Sequence, residues 1–268
     1  MLSVRSFLRR DGVEIVDVAC RHPAGRGHAD EPSAGHALVF VRRGCFARSA
    51  DGAEALLDPT VAYCMNPGQQ QRYDHPHDHG DDCTAVFLTP SLVGSICGGE
   101  QMLPTGPLPV SGSIDLEHRL LLAAASRGTD PDELVERAIV LTARALEQTD
   151  PRRIAAGRPA TRRAQAALAD GAREALAADP NLSLPDLART LCVSPHHLSR
   201  IFRSLTGETI SRHRIRLRAR KALDRLADGE HDLARVAADV GFADQSHLCR
   251  VLQQETSHTP SALRQALK

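Results

Sequence analysis

The sequence lacks any apolar run approaching the roughly 20 residues that a membrane-spanning helix requires. Its first eleven residues are interrupted by charges and contain no signal-peptide core. The 7 cysteines are an odd number, and a chain of 268 residues is long enough to fold without disulfides. We therefore expect a cytoplasmic protein with reduced thiols and no membrane partner.

Lysine is nearly absent, with only Lys221 and Lys268, and the net charge is zero. Taken alone, a neutral chain argues against a nucleic-acid partner. Residues 1–151, however, hold 13 basic against 21 acidic residues, whereas residues 152–268 hold 20 against 12. An acidic half is thus joined to a basic half, and this asymmetry predicts that the basic half meets a polyanion.

The first 110 residues have the pattern of short strands. Alternating, β-branched or aromatic segments occur at 13–20, 37–46, 61–65 and 83–89, separated by turn clusters such as Asp51-Gly52 and Pro67-Gly68. Strands at this spacing predict a small β-barrel or sandwich.

Residues 114–149 change to helical periodicity. Leu116 and Leu121 share one apolar face, and Pro131 is placed to start a second amphipathic helix. These helices pack either on their own β-domain or on another partner, because an apolar stripe does not identify its partner. Residues 151–160, rich in Pro, Gly and Arg, predict a linker.

One pattern occurs twice in the C-terminal half, at 184–202 and at 233–252. Each copy has a short apolar helix, a tight turn closed by an apolar residue, and a second helix, which is the layout of a helix-turn-helix. Aligning the turns pairs Val193 with Phe242, an offset of 49 residues. The second helices then match at an offset of 50, so that Arg200 and Arg250 are equivalent.

This region resembles the DNA-binding domain of the AraC/XylS family of bacterial transcription regulators. The resemblance covers both motifs and the helix between them, and it is carried most clearly by 241–248 (Gly-Phe-Ala-Asp-Gln-Ser-His-Leu) and 255–261 (Glu-Thr-Ser-His-Thr-Pro-Ser). The sequence departs from the family at Cys192 and Ser257, where glycine is usual, and at Leu248, where an aromatic is common. The two lost glycines place the local turn geometry in question.

The resemblance implies a two-domain α+β protein with an N-terminal cupin-like β-barrel and a C-terminal all-α domain. The expected divisions are a sensor domain at 1–110, a helical dimerisation hairpin at 111–150, a linker at 151–160 and a tandem helix-turn-helix domain at 161–268. It further implies a homodimer, an activator that contacts RNA polymerase, and a small-molecule effector.

The second helix of each motif is expected to read double-stranded DNA. Arginine can donate two hydrogen bonds to guanine and glutamine can pair with adenine, whereas the alternative is a solvated polar helix face. By resemblance, the side chains facing the groove are His196, Ser199, Arg200, Arg203, Gln245, Ser246, His247 and Arg250.

A separate cluster of imidazoles and a thiol predicts a metal site in the N-terminal half, formed by His75, His77, His79 and Cys83. These are ligands that Zn²⁺ and related transition metals prefer. Further histidines and cysteines of the same domain could add to them, namely Cys20, His22, His28, His36, Cys45 and Cys64. Against this, Pro76 and Gly80 are typical of a structural loop, and the spacing matches no structural zinc motif.

An enzymatic function is not expected, and a DNA-binding regulator of this kind requires no cofactor. The alternative is a metal-dependent cupin enzyme with His75 and His77 as ligands, or a metal or redox sensor acting through Cys20 or Cys83. No accompanying acid or substrate pocket for catalysis is identifiable in the sequence.

Overall fold

The computed structural model describes residues 2–21, 31–75, 80–148 and 159–267. The chain divides into two compact units, Met1–Thr149 and Asp150–Lys268. Strands dominate the first unit, and every regular element described in the second unit is a helix.

Antiparallel strands form two sheets in the N-terminal unit. The strands are β1 (Leu2–Arg10), β2 (Val13–Cys20), β3 (Glu31–Pro32), β4 (His36–Arg43), β5 (Phe46–Ala50), β6 (Ala53–Leu57), β7 (Val61–Met65), β8 (Gln70–Asp74), β9 (Asp81–Leu88) and β10 (Pro107–Pro109). A six-stranded sheet has the order β1-β2-β9-β4-β7-β10, and a four-stranded sheet has the order β3-β8-β5-β6.

Alternation along the strands gives the six-stranded sheet two buried faces. On β4, Val39 faces a cluster that also contains Phe46 of the four-stranded sheet. Leu38 and Phe40, which alternate with it, belong to a second cluster on the opposite face. The first cluster joins the two sheets, and the second packs the six-stranded sheet against helices.

Three helices follow the strands of this unit: α1 (Pro90–Ile96), α2 (Gly112–Ser126) and α3 (Pro131–Glu147). The Asp130 carboxylate accepts hydrogen bonds from the backbone N–H groups of Asp132 and Glu133, which fixes the start of α3. The helix start predicted at Pro131 is confirmed.

Both α2 and α3 bury their apolar faces inside their own unit. Leu121 of α2 and Leu141 of α3 lie in the cluster that contains Leu38 and Val86 of the six-stranded sheet. This is the packing on the β-domain that was one of the two interpretations of these helices. The dimerisation hairpin stays a prediction.

The C-terminal unit is built from α4 (Pro159–Ala178), α5 (Leu184–Thr190), α6 (Pro195–Thr206), α7 (Ile210–Ala227), α8 (Leu233–Val240), α9 (Gln245–Thr256) and α10 (Pro260–Leu267). Ala172, Leu187, Phe202 and Leu217 pack together in one core cluster of this unit. The predicted sequence of helix, first motif, spacer helix and second motif is confirmed.

The predicted α+β class, with a β-rich N-terminal part and an all-α C-terminal part, is confirmed. The strands form two sheets rather than one continuous closed barrel. The segment 37–46, predicted as one strand, is two, because Gly44 at φ 84° breaks it between β4 and β5. Among the described residues, no helix is both long and apolar enough to cross a membrane.

Candidate nucleic-acid interface

The first motif consists of α5, a tight turn and α6. Ser194 caps α6, because its hydroxyl accepts a hydrogen bond from the backbone N–H of His197 at 3.2 Å, and Pro195 starts the helix. Leu198 and Phe202 are fully buried in the core. The buried residues of α6 fix which of its faces remains exposed.

The second motif repeats this construction with α8 and α9. The Asp244 carboxylate accepts a hydrogen bond from the backbone N–H of His247 at 2.7 Å and caps α9. Leu248 and Leu252 are fully buried, and Phe242 closes the turn as Val193 does in the first motif. Both second helices therefore lie in equivalent local settings.

The outward faces of α6 and α9 carry the side chains expected to read DNA. Six of the eight are exposed, namely His196, Arg200, Arg203, Gln245, Ser246 and Arg250. Ser199 and His247 are half-buried. The His247 ring packs edge-on against Phe242, with ring centroids 5.2 Å apart, so this side chain also supports the turn.

The arginines of these two faces differ from most other arginines of the unit. The side chains of Arg200, Arg203 and Arg250 make no ion pair or hydrogen bond with any residue that the structure describes. By contrast, Arg225 pairs with Asp239 at 2.7 Å and Arg216 with Glu208 at 3.1 Å. The guanidinium groups of α6 and α9 therefore remain available for an external anion or base.

Arginines of the spacer helix α7 instead hold the unit together. Arg214 donates to the carbonyl of Leu182 at 2.8 Å, and Arg218 donates to the carbonyl of Pro180 at 3.1 Å. Both contacts anchor the segment between α4 and α5 to α7. These two guanidinium groups therefore have a structural role within the unit.

A close approach joins the second motif to the segment that precedes the first motif. Gly241 ends α8 with φ 87°, and a Cβ at this position would lie 1.8 Å from Oδ1 of Asn181. Asn181 belongs to the segment between α4 and α5. A side chain at this position would be strained at this φ and would have to displace the Asn181 side chain, so glycine is favoured where the second motif's turn meets this segment.

A hydrogen-bonded pair of side chains supports the start of α7. His213 packs edge-on against Phe202 of α6 and shares a hydrogen bond of 2.9 Å with Glu208. Burial alone raises the pKa of Glu208, but the hydrogen bond with His213 and the charge of Arg216 outweigh it and lower that pKa below its usual value. The ionised carboxylate therefore joins the end of α6 to α7.

The two positions that depart from the family's glycines adopt the backbone that glycine favours. Cys192 has φ 53° in the first turn, and Ser257 has φ 62° at the end of α9. The turn geometry is therefore retained without glycine, at a conformational cost of about 1 kcal/mol for each residue.

The structure describes only part of the metal cluster predicted in the N-terminal unit. His75 and Cys83 are described, whereas His77 and His79 lie outside the described residues. His75 Nε2 lies 2.7 Å from Oδ1 of Asp81, and Cys83 Sγ donates to Oδ2 of Asp81 at 3.4 Å. Burial and then the Asp81 charge raise the pKa of the Cys83 thiol well above its usual value.

Asp81 had no place in the predicted cluster, and Cys20 was only a possible addition to it. One ligand atom from each of Cys20, His75 and Asp81 lies within 4.8 Å of the others. The antiparallel register between β2 and β9 pairs Cys20 with Asp81, two residues far apart in sequence. No local pattern signals such a pairing.

Comparison with known proteins finds similarity within the helical unit. Residues 187–266 match the family described as "Helix-turn-helix domain". The Arabinose operon regulatory protein of Escherichia coli strain K12 is 33% identical over 87 residues, 32% of this chain and 30% of that protein. Regulatory protein PocR of Salmonella typhimurium strain LT2 is 30% identical over 87 residues, 32% of this chain and 29% of that protein. The matched segment thus spans less than a third of either relative.

Solved structures resemble the chain more distantly. ToxT from Vibrio cholerae O395 covers 97% of this chain and 99% of its own, with a TM-score of 0.37 and 11% identity. The C-terminal domain of AraT, a response regulator from Geobacillus stearothermophilus, covers 40% of this chain and 85% of its own, with a TM-score of 0.31 and 24% identity.

Proposed function

We propose that this chain, whose residues 187–266 match a helix-turn-helix domain, is a sequence-specific DNA-binding transcription regulator of the AraC type. The observation that carries the proposal is the pair of equivalent helices, α6 and α9, each presenting arginine without an internal partner among the described residues. A domain that needed these arginines for its own stability would pair them, as it pairs Arg216 and Arg225.

In this proposal α6 and α9 enter successive major grooves on one side of the duplex, about 34 Å apart. Arg200 and Arg250 donate paired hydrogen bonds to guanine, and Gln245 pairs with adenine. Arg203, near the end of α6, and the hydroxyls of Ser199 and Ser246 complete the contacts with bases or phosphates. The internal ion pairs of α7 keep the spacing between the motifs fixed.

The N-terminal unit is proposed to regulate the DNA-binding unit. The N-terminal unit has its own core and an excess of acidic over basic residues, which suits a sensor that folds independently of the DNA-binding unit. We further propose that the protein acts in the cytoplasm as a homodimer, with residues 111–150 as the dimerisation hairpin. A small-molecule effector and activation through RNA polymerase complete the proposal.

Selection from a library of random duplexes by the purified full-length protein tests the function. The proposal predicts an enriched site with two conserved blocks about one helical turn apart. Affinity for the enriched duplex should fall steeply with salt, because several arginines displace counterions. Recovery of unenriched sequences, or binding that does not respond to salt, would contradict it.

A further inference from the structure

Three chain segments meet at one end of the space between the two sheets. Cys20 ends β2, Asp81 begins β9, and His75 directly follows β8 of the other sheet. Their ligand atoms lie within 4.8 Å of one another. The meeting point therefore bridges both sheets of the N-terminal unit.

The donor set is that of a transition-metal site. A thiolate, an imidazole and a carboxylate are ligands of Zn²⁺, at about 2.3, 2.0–2.1 and 2.0–2.2 Å from the ion. Around a tetrahedral ion, such atoms lie roughly 3.3–3.6 Å from one another. On metal binding, the distance of 2.7 Å between His75 Nε2 and Asp81 Oδ1 would increase. The larger distances within the set, which reach at most 4.8 Å, would decrease.

The backbone around these residues is held in place without their side chains. A Cβ on Gly80 would lie 2.1 Å from the carbonyl oxygen of Cys20, so only glycine permits this approach. Arg21 Nη1 donates to the carbonyls of Cys20 at 2.8 Å and of Asp81 at 3.0 Å. The backbone that carries Cys20 and Asp81 is therefore fixed by contacts that do not use their own side chains, which lowers the cost of assembling a metal site.

The site is also shielded from water. The side chains of His75 and Asp81 are 9% and 7% exposed, and Cys20 is 6% exposed. Cys83 donates to Oδ2 of Asp81 and leaves Oδ1 facing His75. Carboxylates that bind a metal ion are usually held by such a hydrogen bond from a neighbouring group.

We propose that Cys20, His75 and Asp81 bind one Zn²⁺ ion, through Sγ, Nε2 and Oδ1. Binding releases the thiol proton of Cys20 to solvent and leaves a fourth position for water. This set replaces His77, His79 and Cys83 of the predicted cluster by two residues brought together through strand pairing. The ion would tie β2 and β9 to the end of β8.

Metal titration of the untagged full-length protein tests the site. After treatment with a chelator, the protein should bind one equivalent of Zn²⁺, and its Tm should rise by roughly 5 °C. Co²⁺ in place of Zn²⁺ should give a thiolate-to-cobalt charge-transfer band in the near ultraviolet. Absence of stoichiometric binding, or of this band in the wild-type protein, overturns the proposal.

Variants then assign the ligands. Cys20→Ser should abolish the cobalt band, and Asp81→Asn should weaken Zn²⁺ binding at least about 100-fold. Cys97→Ser, which changes a half-buried cysteine outside the cluster, should alter neither. His77→Ala and His79→Ala should also retain the band. A band that survives Cys20→Ser, or that is lost with His77→Ala, would contradict the assignment, whatever the outcome for DNA binding.

Discussion

At the scale of single residues, His118 is the clearest departure from ordinary behaviour. It is fully buried, and its ring stacks on Phe40 with centroids 4.5 Å apart. Neither ring nitrogen has a hydrogen-bond partner within the described part of the chain. Burial lowers the pKa of His118 to about 3, so the ring stays neutral in the folded protein.

This histidine predicts a stability loss in mild acid. Below pH 6.5 His118 binds a proton in the unfolded chain but stays neutral in the folded protein. The free energy of unfolding therefore falls by up to about 1.4 kcal/mol per pH unit between 6.5 and about 3. Substituting His118→Leu should flatten this slope.

Tyrosine fluorescence measures the effect in the right unit, because both tyrosines, Tyr63 and Tyr73, lie in the N-terminal unit and the chain has no tryptophan. The free energy of unfolding is measured in urea at pH 5 and at pH 7. Its decrease between pH 7 and pH 5 should be smaller in His118→Leu than in wild type. His231→Gln, an exposed histidine, serves as the control. If the free energy of unfolding changed equally with pH in all three proteins, His118 would not be the source of the acid sensitivity.

Ser257 gives a second prediction at this scale. Its φ of 62° is one that glycine adopts without strain, and it caps the end of α9. Ser257→Gly should therefore stabilise the helical unit by about 0.5–1 kcal/mol. Ser204→Gly, on the exposed face of α6, should instead cost about 1 kcal/mol, as glycine does within a helix. Thermal unfolding followed by circular dichroism compares the two, and destabilisation by Ser257→Gly would be the contrary result.

At the scale of elements, the helical motifs were readable from sequence because their signals are local. Ser194 with Pro195, and Asp244, are capping residues next to the helices that they start. The strand pairings were not readable. Neither β1 nor β8 was predicted, and the register that joins Cys20 to Asp81 depends on contacts between residues far apart in sequence. The metal prediction named residues from one loop for this reason.

The contact between Gly241 and Asn181 predicts a specific sensitivity at Gly241. An alanine there would both strain the φ of 87° and meet Asn181. Gly241→Ala should lower the free energy of unfolding by about 2 kcal/mol or more. It should also weaken DNA binding, because the turn of the second motif is displaced from Asn181.

Gly229→Ala provides the matched control, because Gly229 has φ 91° but a Cβ added there would meet no described atom within 4 Å. It should cost about 1 kcal/mol from backbone strain alone. Adding Asn181→Ala to Gly241→Ala should recover part of the loss. If chemical denaturation showed the same loss of free energy of unfolding for Gly241→Ala and Gly229→Ala, the contact with Asn181 would have no role in stability.

At the scale of the whole molecule, the division of charge gave the first indication of a polyanion partner, with 20 basic against 12 acidic residues after Pro151. The structure sharpens this indication. Arg214, Arg216, Arg218 and Arg225 are used within the helical unit. Composition alone could not separate these arginines from Arg200 and Arg250, because the distinction depends on which partners the fold supplies.

The central claim is that Arg200 and Arg250 read bases from equivalent positions on α6 and α9. The most direct measurement compares the affinities of wild type, Arg200→Ala and Arg250→Ala for the selected duplex and for random duplexes. Each substitution should cost about 1–3 kcal/mol on the selected duplex and relax base preference in one of its two blocks. Arg189→Ala, which removes an arginine paired with Asp186, should leave base preference unchanged. Equal weakening on selected and random duplexes would make these arginines phosphate contacts and contradict the account.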